Sequence, residues 1–139
     1  MIFVDSSFFF ALASEEDPDH ERVLEVFQEF DPKRLPNLWL TTNHVISETI
    51  TLTRSSSGHR EAVSMGRRLY KEILARIHWA TPAEEKKAFD YLEKHSDKKY
   101  SAVDCLSFVI MEQYGIQEAL TIDSDFTHRF IARPGPKPK

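Results

Sequence analysis

Four carboxylates fall where a chain of alternating strands and helices would gather them. Asp5 follows the apolar run Ile2-Phe3-Val4, and Asp123 follows Ala119 to Ile122, so both stand at strand ends. Asp104 lies in the first turn of a helix opened by Ser101, and Glu48 lies early in a helix opened by Thr42 or Asn43. With a single cysteine in the chain and no His-x-His spacing, these acids form a set of hard oxygen ligands, suited to Mg²⁺ or Mn²⁺ rather than zinc. Up to two such ions would concentrate positive charge and grip a phosphodiester. One ion would activate the attacking water and the other would stabilise the leaving oxygen.

Taken singly, each acid also has a structural explanation. Asp5 precedes Ser6 and Ser7 and could cap the next helix. Ser101-Ala102-Val103-Asp104 resembles a capping box with Asp in place of Glu. Glu48 could be a solvated helix residue, and Asp123, in Asp-Ser-Asp, a turn residue. Four unrelated reasons would then be needed for acids to meet at one edge. Side chains able to contact phosphate nearby are Ser6, Ser7, Asn43, Thr121, Arg54, Arg67 and Arg68, each of which also reads as a surface or cap residue.

The elements that must position these groups follow from the apolar pattern. Short continuous apolar runs at Ile2–Val4, Leu38–Leu40, Ile77–Ala80 and Ala119–Ile122 read as strands buried on both faces, with Phe130-Ile131 as a short fifth. Helical segments separate them. Asp17-Pro18 reads as N-cap and first residue of one, followed by Val23, Leu24, Phe27 and Phe30 at helical spacing. Asp31 to Asn37 reads as a loop, and Ser55-Ser56-Ser57-Gly58 as a helix-breaking, flexible surface loop. His59 to Leu74 reads as a helix with Val63, Leu69, Tyr70 and Ile73 inward. Thr81-Pro82-Ala83-Glu84 is a capping box, and Gly115 a C-terminal helix stop. The alternation implies parallel βαβ units with the first strand central, and strand C-termini meeting helix N-termini on one edge, where ligands bind in such sheets.

Length and composition narrow the function classes. The 139 residues suffice for one domain, expected over residues 1–132, with RPGPKPK (133–139) as a frayed tail. No stretch approaches the roughly 18 apolar residues of a membrane span, and no basic region precedes the N-terminal apolar run, so a cytoplasmic protein with no membrane partner is expected. The lone Cys105 excludes an intrachain disulfide and a cysteine-based zinc site. Eighteen Lys and Arg against 22 Asp and Glu leave a net charge of −4. A chain of that charge is no passive basic sleeve for nucleic acid, and phosphate handling would need local basic residues or bound cations.

Four stretches carry a family resemblance: VDSSFFFALASEEDPDHERV, TTNHVISETITL, SAVDCLSFVIMEQYGI and ALTIDSDF. With the spacing between them, they make the chain resemble a PIN-domain ribonuclease, and more narrowly the VapC-type toxins of prokaryotic toxin–antitoxin pairs. The resemblance implies a three-layer α/β/α fold with a parallel sheet of order 3-2-1-4-5. It also implies Mg²⁺- or Mn²⁺-dependent RNA cleavage, a homodimer and an inhibitory antitoxin partner. Carried over by position, the acidic cluster is Asp5, Glu48, Asp104 and Asp123, with Ser7 and Thr121 as polar positions beside it. Asp125 departs from the family pattern and leaves open which of Asp123 and Asp125 touches metal; Asp123 is preferred because it directly ends the strand.

Two other classes compete with an endoribonuclease. A non-catalytic scaffold for RNA or a protein partner would typically have lost one of the acids, and none is missing. A phosphoacceptor receiver domain would want paired acids after the first strand and a lysine after a late one, and a haloacid-dehalogenase-type phosphatase would want Asp-x-Asp where Asp5 and Ser7 stand.

Overall fold

The computed structural model describes residues 1–138. Five parallel strands form one sheet: β1 (Ile2–Val4), β2 (Trp39–Thr42), β3 (Arg76–His78), β4 (Glu118–Thr121) and β5 (Ile131–Pro134). Their order is β3-β2-β1-β4-β5, as the family resemblance implies. Seven helices flank the sheet: α1 (Ser6–Ala13), α2 (His20–Phe27), α3 (Leu35–Leu38), α4 (Asn43–Ser57), α5 (His59–Tyr70), α6 (Pro82–Lys94) and α7 (Ala102–Tyr114). Helix α4 packs on α1 and α5, α1 packs on α2, and α6 packs on α7. No helix is long and apolar enough to cross a membrane among the described residues.

Burial of β1 explains its composition. Phe3 and Val4 are fully buried between β2 and β4, and Phe8 and Phe9 carry the core into α1. Trp39 on β2 is the largest fully buried side chain, with Phe8, Phe27 and Phe30 packed edge-on to its ring. Such aromatic contacts add to the large area these rings remove from water. The capping boxes at Thr81/Glu84 and Ser101/Asp104 both form, and Gly115 ends α7 in the left-handed conformation.

Several local expectations are corrected. Helix α2 starts at His20, because the Asp17 carboxylate takes the Asp19 N–H at 2.8 Å and closes a turn instead of capping a helix. Residues 32–38 form a 3₁₀ turn and the short α3, not an open loop. Ser55–Ser57 belong to α4, and Gly58 alone (φ 95°, ψ 179°) separates it from α5. Helix α5 ends at Tyr70 rather than Leu74; Leu69 faces inward as expected, with Ala62 and Met65, whereas Val63, Tyr70 and, beyond the helix, Ile73 are exposed. Arg133 and Pro134, expected in a frayed tail, are ladder residues of β5 paired with Leu120 and Thr121. Arg22 ties down the next turn by donating to the carbonyls of Pro134 and Gly135. Lys139 lies outside the described residues.

The backbone at Gly58 sits in a region that only glycine enters without strain, although a Cβ there would meet nothing within 4 Å. Gly58→Ala should therefore cost about 1–3 kcal/mol through backbone conformation alone. Urea unfolding should show a lower midpoint with an unchanged slope.

Candidate active site

Sheet topology brings the strand ends together before any side chain is considered. The ladder between β1 and β4 extends one residue past β1, because the Asp5 N–H donates to the Leu120 carbonyl at 3.0 Å. Asp5 thus lies beside the C-terminal end of β4, with α1 beginning immediately behind it. It is both the N-cap of α1 and a buried carboxylate, 2% exposed. One of its oxygens, Oδ2, accepts from Ser7 Oγ at 2.8 Å and from Thr121 Oγ1 at 3.0 Å. Its other oxygen, Oδ1, is buried without a hydrogen-bond partner. An orphaned carboxylate oxygen is costly unless something positive meets it.

Ser7 and Thr121 are the fasteners of this edge. Thr121 Oγ1 accepts the Asp123 N–H at 3.0 Å, and Ser7 Oγ accepts the Ile122 N–H at 3.2 Å. Both hydroxyls are thus committed to Asp5 and to the chain leading to Asp123. Asp123 caps a 3₁₀ turn (Ser124–His128), with Oδ1 accepting the Asp125 N–H at 2.9 Å.

Asp104 arrives from the first turn of α7. Its Oδ2 accepts the Ser101 N–H at 3.1 Å while Ser101 Oγ accepts the Asp104 N–H at 3.0 Å. The capping explanation is therefore correct, and it does not remove Asp104 from the cluster. Carboxylate oxygens of Asp104, Asp123 and Asp125 all lie within 4.8 Å of one another. Both Asp123 and Asp125 reach Asp104, so the choice between them stays open at the level of geometry. Glu48, in the second turn of α4, accepts a hydrogen bond from Ser6 Oγ, which draws it towards the start of α1.

Electrostatics register the crowding. Burial, opposed by the Ser7 and Thr121 hydrogen bonds and reinforced by the charges of Asp123 and Glu48, pushes the Asp5 carboxyl up to about 6. Burial and the neighbouring Asp5 charge push Asp104 up to about 7. Asp123 is also raised, chiefly by burial. An all-oxygen donor set with an orphaned buried oxygen and raised carboxyls fits a divalent hard cation.

The other sequence candidates separate. Asn43 Oδ1 accepts the Ala80 N–H at 2.9 Å, and the residue lines a groove of about 420 Å³ beside Glu48. His44, Ser47 and Val103 line the same groove and carry no residue-type signal that would have singled them out. Arg54 lies in the last turn of α4, about 9 Å along the axis beyond Glu48, with its guanidinium against His59. Arg67 and Arg68 lie on α5 beside a separate groove. The structure does not bring these three arginines to the acids.

Comparison with known proteins fits this arrangement. The PIN domain family profile matches residues 2–129. Among curated proteins, the chain is 35% identical over 127 residues to the 23S rRNA-specific endonuclease VapC20 of two Mycobacterium tuberculosis strains, spanning 91% of this chain and 92% of that one. The crystal structure of M. tuberculosis VapC20, a sarcin–ricin loop cleaving toxin, superposes with a TM-score of 0.83 at 34% identity, covering 92% of this chain and 94% of that one. FitAcB from Neisseria gonorrhoeae shares the fold, with a TM-score of 0.64 at 16% identity over 95% and 96% of the two chains. The chain belongs to the PIN domain family.

The raised carboxyls make a signed prediction. A carboxyl whose folded pKa exceeds its unfolded value binds more protons when folded, so stability is lost as pH rises through the window between the two values. Without metal, the Asp5 and Asp104 contributions should decline from about pH 4 to pH 7. Asp104→Asn should therefore gain stability relative to wild type across that window, with a ceiling of about 4 kcal/mol. Urea unfolding in EDTA between pH 4 and pH 8 measures the difference. A pH-independent difference would show that Asp104 is not crowded.

Proposed function

We propose that this chain is a metal-dependent endoribonuclease that hydrolyses RNA phosphodiester bonds, and the toxin of a toxin–antitoxin pair. The observation that carries the reading is the cluster of Asp104, Asp123 and Asp125 oxygens at the sheet edge, beside a buried Asp5 that has one oxygen without a partner and a charge that raises Asp104. Asp5, Glu48, Asp104 and Asp123 are the residues that would hold Mg²⁺ or Mn²⁺, with Asp125 as the alternative to Asp123. Up to two ions are accommodated by the charge. When bound, such ions supply Lewis acidity that activates water and offsets charge on the phosphate.

The chain's own residues do the rest. Ser7 and Thr121 position Asp5 by fixing one of its oxygens and leaving the other without a partner. Ser6 does the same for Glu48, and Ser101 for Asp104. Asn43, on the groove beside Glu48, contacts the RNA backbone. Raised carboxyls make cation binding compete with protons, so affinity should climb through pH 6–7.

Similarity to VapC20 supports RNA as the substrate, and the family resemblance supports an antitoxin partner and a homodimer built from helical surfaces away from the acidic edge. An RNA substrate and an antitoxin partner support a cytoplasmic location. A non-catalytic scaffold has no comparable support, since every acid of the cluster is present.

Cleavage of total RNA by purified protein should require Mg²⁺ or Mn²⁺, stop in EDTA and return on adding back either ion. Asp5→Asn and Asp123→Asn should each lower the rate at least about a hundredfold, since even residues that merely support metal ligands cost up to that much. Undiminished cleavage in excess chelator by wild type, absent from the Asp5→Asn preparation, would refute a metal-dependent mechanism.

A further inference from the structure

The chain's charge is distributed unevenly in a way the acidic site does not use. Between Arg54 and Arg76 there are six cations (Arg54, Arg60, Arg67, Arg68, Lys71, Arg76) against two acids, Glu61 and Glu72, in a chain whose net charge is −4. Glu72 is spent locally, accepting the Ile77 N–H at 2.8 Å. Among the described residues, none of the six cations enters an ion pair. Positions 60, 63, 67, 70 and 71 share one exposed face of α5, which places Arg60, Arg67 and Lys71 beside Val63 and Tyr70. Helical rise makes that face about 16 Å long.

The upper end of this face carries an aromatic pair. Tyr70 stacks on Trp79, with ring centroids 6.2 Å apart and planes inclined by 20°. Trp79 is 60% exposed and Tyr70 47%. An indole this exposed forms no part of the core, and the other tryptophan, Trp39, is fully buried. The register fixes where the pair stands relative to the acids. Phe3 pairs with Leu40 and Thr42 with His78, so Asp5 is level with His78 two strands away, and Trp79 is the next residue. Two strand spacings put it about 10 Å from β1 on the same edge. The Asn43 carbonyl, bonded to the Ala80 N–H, bridges the interval.

We infer that the exposed face of α5 and the Tyr70–Trp79 stack form a substrate track, on which Trp79 stacks a base of single-stranded RNA one or two nucleotides from the cleaved bond while Lys71, Arg67 and Arg60, in that order away from it, receive phosphates. The inference rests on the nuclease reading for the direction of the track. It commits to RNA because a row of unpaired cations runs up to a flat, exposed aromatic pair on the acidic edge. An apolar protein docking patch would need no such row of unpaired cations.

Binding is measured on the intact chain in EDTA, with a 5′-fluorescein single-stranded RNA, by anisotropy and by tryptophan emission. RNA should quench wild-type emission, since Trp39 is inaccessible and Trp79 is the reporter. Trp79→Ala should weaken binding about tenfold, the loss of one stacked base. Trp79→Phe should restore affinity while leaving the emission unresponsive. Arg60→Glu with Arg67→Glu should weaken binding and flatten its salt dependence by about one unit per lost phosphate contact. Lys86→Glu on α6 should bind as wild type. Equal affinity in all variants would overturn the track. So would quenching by an acidic peptide but not by RNA, which would assign the face to a protein partner. Dimers that become monomers in light scattering on Trp79→Ala would also overturn it, assigning the face to a second copy. Metal-dependent cleavage by wild type is scored separately. RNA binding that depends on Trp79 without any cleavage would sustain the track and remove the nuclease reading; cleavage with unaltered variant binding would do the reverse.

Discussion

Asp5 is the group on which this architecture turns, a carboxylate buried at the end of the central strand with one oxygen fixed and the other unmet. Putting a charge there is unfavourable, and placing Asp104 and Asp123 beside it is more so. The surrounding fold has to hold them against that repulsion. It does so with a fully apolar β1 clamped between β2 and β4, and with neutral donors on one side of each acid: hydroxyls on Asp5 and Glu48, backbone N–H groups on Asp104 and Asp123. Neutral donors such as Ser7, Thr121, Ser101 and Ser6 set direction and leave the charge for a cation.

The same economy appears at the helix starts. Asp5 caps α1 and Asp104 completes the capping box of α7, so secondary-structure termination and site construction use the same atoms. A helix N-terminus favours negative charge, which offsets part of the cost of assembling acids there. Four elements that are distant in sequence deliver their acids to one edge because parallel strands all end on the same side. The helices on the far side of β2 then extend that edge outward, through Asn43 and Ala80, to a basic and aromatic surface.

Much of this was legible in the residues because the signals were short-range and unambiguous. Ile2–Val4 is too apolar to be anything but a doubly buried strand, and Thr81/Glu84 and Ser101/Asp104 carry their capping bonds in their spacing. Errors arose where tertiary context overrode local chemistry. Three serines before Gly58 suggest a break, yet α4, packed on α1 and α5, continues through them to the glycine although all three are exposed. Val63, Tyr70 and Ile73 are apolar but face solvent, because Ala62, Met65 and Leu69 already fill the contact with α4, where Gly66 lets Ile50 approach. The RPGP segment reads as frayed from its composition, although Pro134 can end an edge strand that Arg22 secures from the side. In the candidate site, Asp5 and Asp123 stand out by position after a strand and Asp104 and Glu48 by position early in a helix, whereas the commitment of Ser7 and Thr121 to Asp5 is a three-dimensional fact that spacing does not contain.

The most direct measurement is anomalous diffraction at the manganese edge from crystals grown or soaked with MnCl₂. The account predicts a peak at the β1–β4 edge, in contact with the unpartnered Asp5 Oδ1 and with carboxylate oxygens of Asp104 and Asp123 or Asp125. Crystals that hold Mn²⁺ elsewhere, or that leave this edge without a peak at millimolar Mn²⁺ and neutral pH, would contradict it.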